Sequence, residues 1–135
     1  YAAYVFDLIW HYLANGGEAY CYWNMVLREG GCSTWGWRQN SLFTVDIEAG
    51  TATVQPEYHV LRHVAGAVRP GARILPLSGP WSGNAVAARN TNGSVAVVVR
   101  NPFDDARKVT FRGTNATWCA AMPARSFNTF MWPSG

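Results

Sequence analysis

The stretch that decides the fold runs from Tyr20 to Leu42, "YCYWNMVLREGGCSTWGWRQNSL". Its aromatic and apolar opening predicts a short strand over Ala19–Val26. Gly30-Gly31 then begins a long polar loop. Three tryptophans, Trp23, Trp35 and Trp37, stand in this stretch beside the amides Asn24, Gln39 and Asn40.

Working outward, Tyr1, Val5, Leu8, Ile9 and Tyr12 recur at helical spacing, with Asp7 and His11 on the opposite face. "ANGG" at Ala14 to Gly17 stops that helix, because Asn and Gly accept the left-handed conformation. Helix, glycine stop and strand is the order of an α/β unit. Downstream, Ser41–Ile47 and Thr51–Val54 predict a hairpin around "EAG". Pro56 falls at a first-turn position where its missing N–H costs nothing. Tyr58, Leu61, Val64 and Val68 continue at helical spacing until "RPG" at Arg69 to Gly71 ends the second helix.

Beyond Pro70 the pattern changes. Ala85–Arg89, Ser94–Arg100, Lys108–Arg112, Thr117–Ala121 and Ser126–Trp132 are predicted strands, separated by turn residues. The pair Asn92-Gly93 is a tight-hairpin signal. In "KVTFR", Val109 and Phe111 alternate with Lys108, Thr110 and Arg112, so one face is buried and the other wet. This grammar predicts a β-sandwich, and the chain divides near residue 70. Neither half is self-sufficient: a single parallel strand needs neighbours, and a complete immunoglobulin-like sandwich has about seven strands. The expectation is the later part of a larger protein, in keeping with a chain that opens at Tyr1 without a start methionine.

Composition sets bounds on function. Hydrophobic residues make up 49% of the 135, which excludes a disordered chain. No run approaches the roughly 20 apolar residues of a membrane span. The net charge is +3, and the arginines (among them Arg28, Arg38, Arg62, Arg69, Arg73, Arg89 and Arg100) are scattered rather than gathered into a basic face, which argues against nucleic acid. Cys21, Cys32 and Cys119 cannot all pair within one chain and form no CxxC, so they are expected to be small, partly buried residues.

Indoles offer flat apolar faces that complement the C–H face of a pyranose, while ring hydroxyls reach for amides such as Asn24, Gln39 and Asn40. One tryptophan alone is better explained as core; three in so short a polar, glycine-rich stretch favour a sugar surface. Glycoside hydrolysis itself needs two carboxyls, about 5 Å apart where configuration is retained. Glu18, Glu29, Asp46, Glu48 and Glu57 are the candidates. Glu18 precedes the predicted strand, Glu29 sits beside Arg28, and Asp46 has the position of a turn cap. They make no convincing pair. His59 and His63 are one turn apart, but "VLR" between them lacks the glutamate of HExxH and no third ligand is evident. No metal and no cofactor are expected. Asn92 and Asn115 begin N-glycosylation triplets, "NGS" and "NAT".

The run "YWNMVLREGGCSTWGWRQNSLFTVD", followed by "QPEYHVLRHVAGAVRPGARI" and "LPLSG", resembles the C-terminal part of glycoside hydrolase family 30, the glucosylceramidase-like family that also holds β-1,6-glucanases and β-xylosidases. The closing "MPARSFNTFMW" resembles its last sandwich strand. The resemblance implies an α/β plus all-β fold: the end of a (β/α)8 TIM barrel in residues 1–69, and a β-sandwich side domain in 70–135. Residues 1–17 are then the seventh barrel helix, 18–27 the eighth strand and 56–69 the eighth helix. Such a barrel needs about 250 residues, so most of it would be supplied by an N-terminal barrel portion outside this segment.

The resemblance further implies a retaining β-glycosidase acting on β-glucosides or β-glucans, with both catalytic glutamates upstream of Tyr1. The compartment is not given by the sequence; a secreted or extracellular setting is the expectation for the complete protein. It places Trp23-Asn24 at the end of strand eight, with Trp23 against the sugar. Asn40, with Gln39 competing, is the loop amide that touches that sugar, and Trp35 and Trp37 shape the rim. "STWGWRQNSL" leans toward the bacterial or glucanase-like branches rather than glucosylceramide and sphingolipid metabolism. Two other readings stand beside it: a non-catalytic carbohydrate-binding module, and a structural interaction domain whose indoles meet a partner protein.

Overall fold

The computed structural model describes residues 1–113 and 117–133. The chain forms two compact units, Tyr1–Arg62 and His63–Gly135.

The first unit opens with helix α1 (Ala2–Ala14). Val5, Phe6 and Ile9 are its buried residues, whereas Tyr1 and Tyr12, expected on the inward stripe, are exposed. Their phenol tips favour water. The helix ends as "ANGG" predicts, by a division of labour. Asn15 Nδ2 donates to the His11 carbonyl at 2.7 Å, and it is Gly16, not Asn15, that adopts the left-handed conformation. Gly17 N–H then reaches the Tyr12 carbonyl at 2.7 Å.

The expected strand over Ala19–Val26 is not formed. Only Val26–Arg28, β1, is a strand, pairing in parallel with β2 (Phe43–Asp46) in the register Val26↔Phe43 to Arg28↔Val45. Among the described residues, 19–23 find no neighbouring strand. A β-prone sequence stays irregular when its backbone groups have nothing to pair with. β2 turns back into β3 (Thr51–Val54) as the expected hairpin. Asp46 is its turn cap: Oδ1 accepts the N–H groups of Glu48 and Ala49 at 3.0 Å each. Pro56 then starts helix α2 (Pro56–Ala67).

In the second unit, one four-stranded antiparallel sheet has the order β4-β5-β6-β9, formed by Arg73–Leu75, Ala85–Arg89, Val95–Asn101 and Ser126–Trp132. A two-stranded sheet pairs β7 (Arg107–Arg112) with β8 (Thr117–Met122). Ala85, Ala87, Val97 and Val99 from the first sheet meet Val109 and Met122 from the second in one core. Leu75, Trp81, Phe111, Phe130 and Trp132 pack against its edges. This is the sandwich that the alternation in "KVTFR" requires. Sequence reading misses β4, which is only three residues long and too short to show a period.

The β5–β6 connection is the hairpin that Asn92-Gly93 predicts. Asn90 N–H bonds to the Ser94 carbonyl at 2.8 Å, and Gly93 takes the left-handed position of a three-residue loop. Two asparagines fix the connections from inside. Asn90, buried, donates to the Ala67 carbonyl and Ser94 Oγ and accepts the Arg69 N–H. Asn101, fully buried, donates to the carbonyls of Asp105, Met122 and Pro123 and accepts the Phe103 N–H. The Asn115 triplet lies outside the described residues.

Candidate functional site

The segment after β1 is built by backbone bonds rather than by a core. Gly31 N–H reaches the Arg28 carbonyl at 2.9 Å, and Glu29 N–H extends the ladder to the Val45 carbonyl at 2.9 Å. Gly30 is left-handed, allowing the chain to reverse. A small hairpin follows, closed by a bridge between Cys32 and Arg38. Its tip is pinned by Ser33, whose N–H donates to the Trp37 carbonyl at 2.9 Å. Ser33 Oγ accepts the N–H groups of Trp35 and Trp37, each at 3.3 Å.

This tip presents the indoles of Trp35 and Trp37, with ring centroids 5.9 Å apart and planes tilted by 36°. They are 77% and 71% exposed, and Trp23 is 76% exposed. None of the three is a core side chain of this unit.

The amides come together at the base of the hairpin. Asn24 Nδ2 donates to Gln39 Oε1 at 3.3 Å and lies 3.5 Å from the Asn40 carbonyl. Asn24 N–H bonds to the same carbonyl at 3.2 Å, and the Trp23–Asn24 peptide is cis. Gln39 and Asn40 also line a cleft of about 290 Å³, together with Arg28, Glu29, Arg38 and Glu57. The structure therefore brings Asn24, Gln39 and Asn40 into one cluster and pairs Trp35 with Trp37. The cleft lining includes neither Asn24 nor any indole.

Sequence reading did not place Arg28, Arg38 and Glu57 around one cleft. They meet through the parallel β1–β2 register and the Cys32–Arg38 bridge, and neither pairing leaves a trace in local spacing. Glu57, in the first turn of α2, is buried. Its charge, after burial itself, raises the Tyr22 phenol, which is pushed up to about 12. Tyr22 Oη is buried with no hydrogen-bond partner among the described residues.

The cysteines correct an expectation: Cys21, Cys32 and Cys119 are all free and exposed. Cys119 faces outward because the strand alternates it with half-buried Trp118 and Ala120. On α2, His59 is exposed, while His63 is half-buried with Nδ1 2.8 Å from Thr129 Oγ1. Among the described residues no group of three or more His, Cys, Asp or Glu converges as a metal site. No helix among them is long and apolar enough to cross a membrane.

Residues 82–130 match the glycosyl hydrolase family 30 beta sandwich domain. That stretch is similar to the family's sandwich, in line with the resemblance read from the residues. Two solved structures share the fold. SrfJ from Salmonella typhimurium matches with a TM-score of 0.76 at 21% identity, over 96% of this chain and 32% of that one. The endo-beta1,6-glucanase BT3312 matches with a TM-score of 0.71 at 22% identity, over 84% of this chain and 26% of that one. The chain thus spans about a third or less of the length of the structures it matches.

Proposed function

We propose that this chain is the part of a retaining β-glycosidase that supplies the aromatic sugar-binding wall, and that the complete protein hydrolyses β-glucosides or β-glucans. The observation that carries the reading is the arrangement of one segment: exposed Trp23 is followed directly by Asn24, which is hydrogen-bonded to Gln39 beside Asn40. A flat apolar face next to oriented amides suits a ligand with one apolar face and a rim of hydroxyls. The family of the sandwich domain and the glucanase among the similar structures point to the same substrate class.

In this reading residues 1–69 complete a (β/α)8 barrel whose remaining strands pair with 18–27. The unpaired irregular run before β1 is what a barrel strand looks like without its neighbours. Residues 70–135 are the sandwich domain. One glutamate of the barrel portion attacks the anomeric carbon while the other protonates the leaving oxygen, and water then releases the glycosyl-enzyme. Trp23 forms the floor under the sugar and Asn40 or Gln39 holds a hydroxyl. A flat floor tolerates the ring as it flattens toward the oxocarbenium-like transition state. Trp35 and Trp37 line the approach.

A free-standing carbohydrate-binding module would carry its aromatics on an open strand face after residue 70. Three of the strand rings there, Phe111, Phe130 and Trp132, are instead packed against the sandwich core. The test is titration of the purified chain with soluble β-gluco-oligosaccharides, followed by tryptophan fluorescence. A saturable change that is weakened by Trp23→Ala supports the reading; no change with any β-glucan or β-glucoside contradicts it.

A further inference from the structure

The indoles of Trp35 and Trp37 are held differently from Trp23. Their hairpin has a closed base, a left-handed Gly36 and two backbone N–H groups converging on Ser33 Oγ. A tip that only needed to be soluble would not fix two large apolar rings in water. The two indoles touch each other but leave most of their area in water, and an exposed apolar pair on an ordered backbone marks a contact surface.

The ring geometry restricts the partner. Centroids 5.9 Å apart fall within the range of rings already touching one another, about 4.5–7 Å. No ligand ring fits between them, so the pair is not a slot. It is one continuous apolar platform, wider than a single indole. At the base of the same hairpin, Gly30, Gly31, Arg38 and Gln39 line the polar cleft. An apolar tip over a polar base suits a chain of pyranoses, each with a C–H face and a hydroxyl rim. A protein partner would ask for a drier surround, and a lipid tail has nothing to offer the amides and guanidinium.

We infer that the Cys32–Arg38 hairpin is a preorganised platform for the sugars beyond the first, selecting an oligosaccharide chain over a monosaccharide glycoside, and that Ser33 is its positioning residue. This rests on the sugar-binding function proposed above. Trp23 serves the first sugar and the Trp35–Trp37 pair serves the next ones. Ser33 touches no sugar; it sets the relative tilt of the two indoles by accepting both N–H groups.

The experiment resolves the indole N–H signals by 1H–15N NMR on the full chain. It titrates glucose and the β-linked tetraoses cellotetraose, laminaritetraose and gentiotetraose, with octyl glucoside micelles as the lipid-like probe. The expected result is that at least one tetraose moves the signals of both Trp35 and Trp37. Its preference over glucose falls about tenfold in Trp35→Ala and in Ser33→Ala and returns in Ser33→Thr, which keeps the accepting oxygen. The remaining signals report that each variant is folded. If Trp23 moves alone, the first-sugar reading stands and the platform is wrong. If no indole moves, both fail. The platform is equally overturned if Trp35→Ala leaves the preference unchanged, or if micelles move the pair and no tetraose does.

Discussion

The side-chain amide of Asn24 donates to Gln39 Oε1 across 3.3 Å, joining the residue after Trp23 to the end of the loop that carries Trp35 and Trp37. This bond spans fifteen positions of sequence and sets the spacing between two groups proposed to meet the sugar. It is part-buried, in the range where a neutral side-chain bond contributes about 1 kcal/mol. A double-mutant cycle over Asn24→Ala and Gln39→Ala is expected to show a coupling of about 0.5–1.5 kcal/mol in stability. Additive effects would mean that the two amides act independently.

Asn101 is the polar centre of the sandwich. Removing its amide strands the carbonyls of Asp105, Met122 and Pro123 and the Phe103 N–H together. Asn101→Ala is expected to cost about 2–3 kcal/mol, because buried groups lose their partners. In a unit of this size that lowers Tm by on the order of 10 °C or more in a thermal melt. Asn101→Asp, which keeps the acceptor and loses the donors, is expected to fall no less far.

Tyr22 gives the opposite expectation. Its hydroxyl is buried without a partner among the described residues, so Tyr22→Phe removes an unsatisfied group and keeps the ring. The variant is expected to match or exceed the parent in urea unfolding, by up to about 1 kcal/mol. The pH dependence follows from the raised phenol. Tyr22 holds its proton more tightly folded, at about 12, than unfolded, at about 10. Stability is therefore intact below pH 10 and declines as pH rises from about 10 to 12. Tyr22→Phe is expected to remove that part of the decline; unchanged alkaline melting curves would contradict it.

At the acid end the exposed Asp104–Arg125 pair behaves in the reverse sense. The guanidinium holds the Asp104 carboxyl below its ordinary value, so its contribution is present above the usual carboxylate range and disappears as pH falls. Because both groups are exposed, salt is expected to abolish the effect, which a melt at high and low ionic strength at pH 5 checks.

The proposed division of labour, with both catalytic glutamates outside this chain, predicts that purified 1–135 does not turn over an aryl β-glucoside. Glu29 and Glu57 both line the cleft, yet Glu29 is exposed beside Arg28 and Glu57 is buried under the first turn of α2. Sustained release of the aryl group, lost in Glu29→Gln or Glu57→Gln, would place the chemistry here instead.

Much of the sandwich was legible because its signals are local. Asn92-Gly93 sets a turn, and alternation in "KVTFR" sets a face. β5 and β9 coincide with their predicted spans, and β6–β8 differ only at their ends. What failed was non-local. The run 19–26 has strand composition, but strand formation depends on neighbours that composition does not reveal. The three cysteines are apolar enough for a core and yet sit on exposed positions of loop and strand. Asn90 and Asn101 stand at the ends of strands, where composition gives no sign that their bonds reach backbone far along the chain. The indoles and amides were legible as types; the Ser33 pin and the cleft at the hairpin base required the fold.

In the proposed function the indole beside Asn24 takes a sugar face. A calorimetric titration of the full chain with β-gluco-oligosaccharides, run on the parent and on Trp23→Ala, tests it most directly. Saturable binding is expected in the parent, weakened about tenfold or more in the variant. Equal binding by both, or none by the parent, would contradict it.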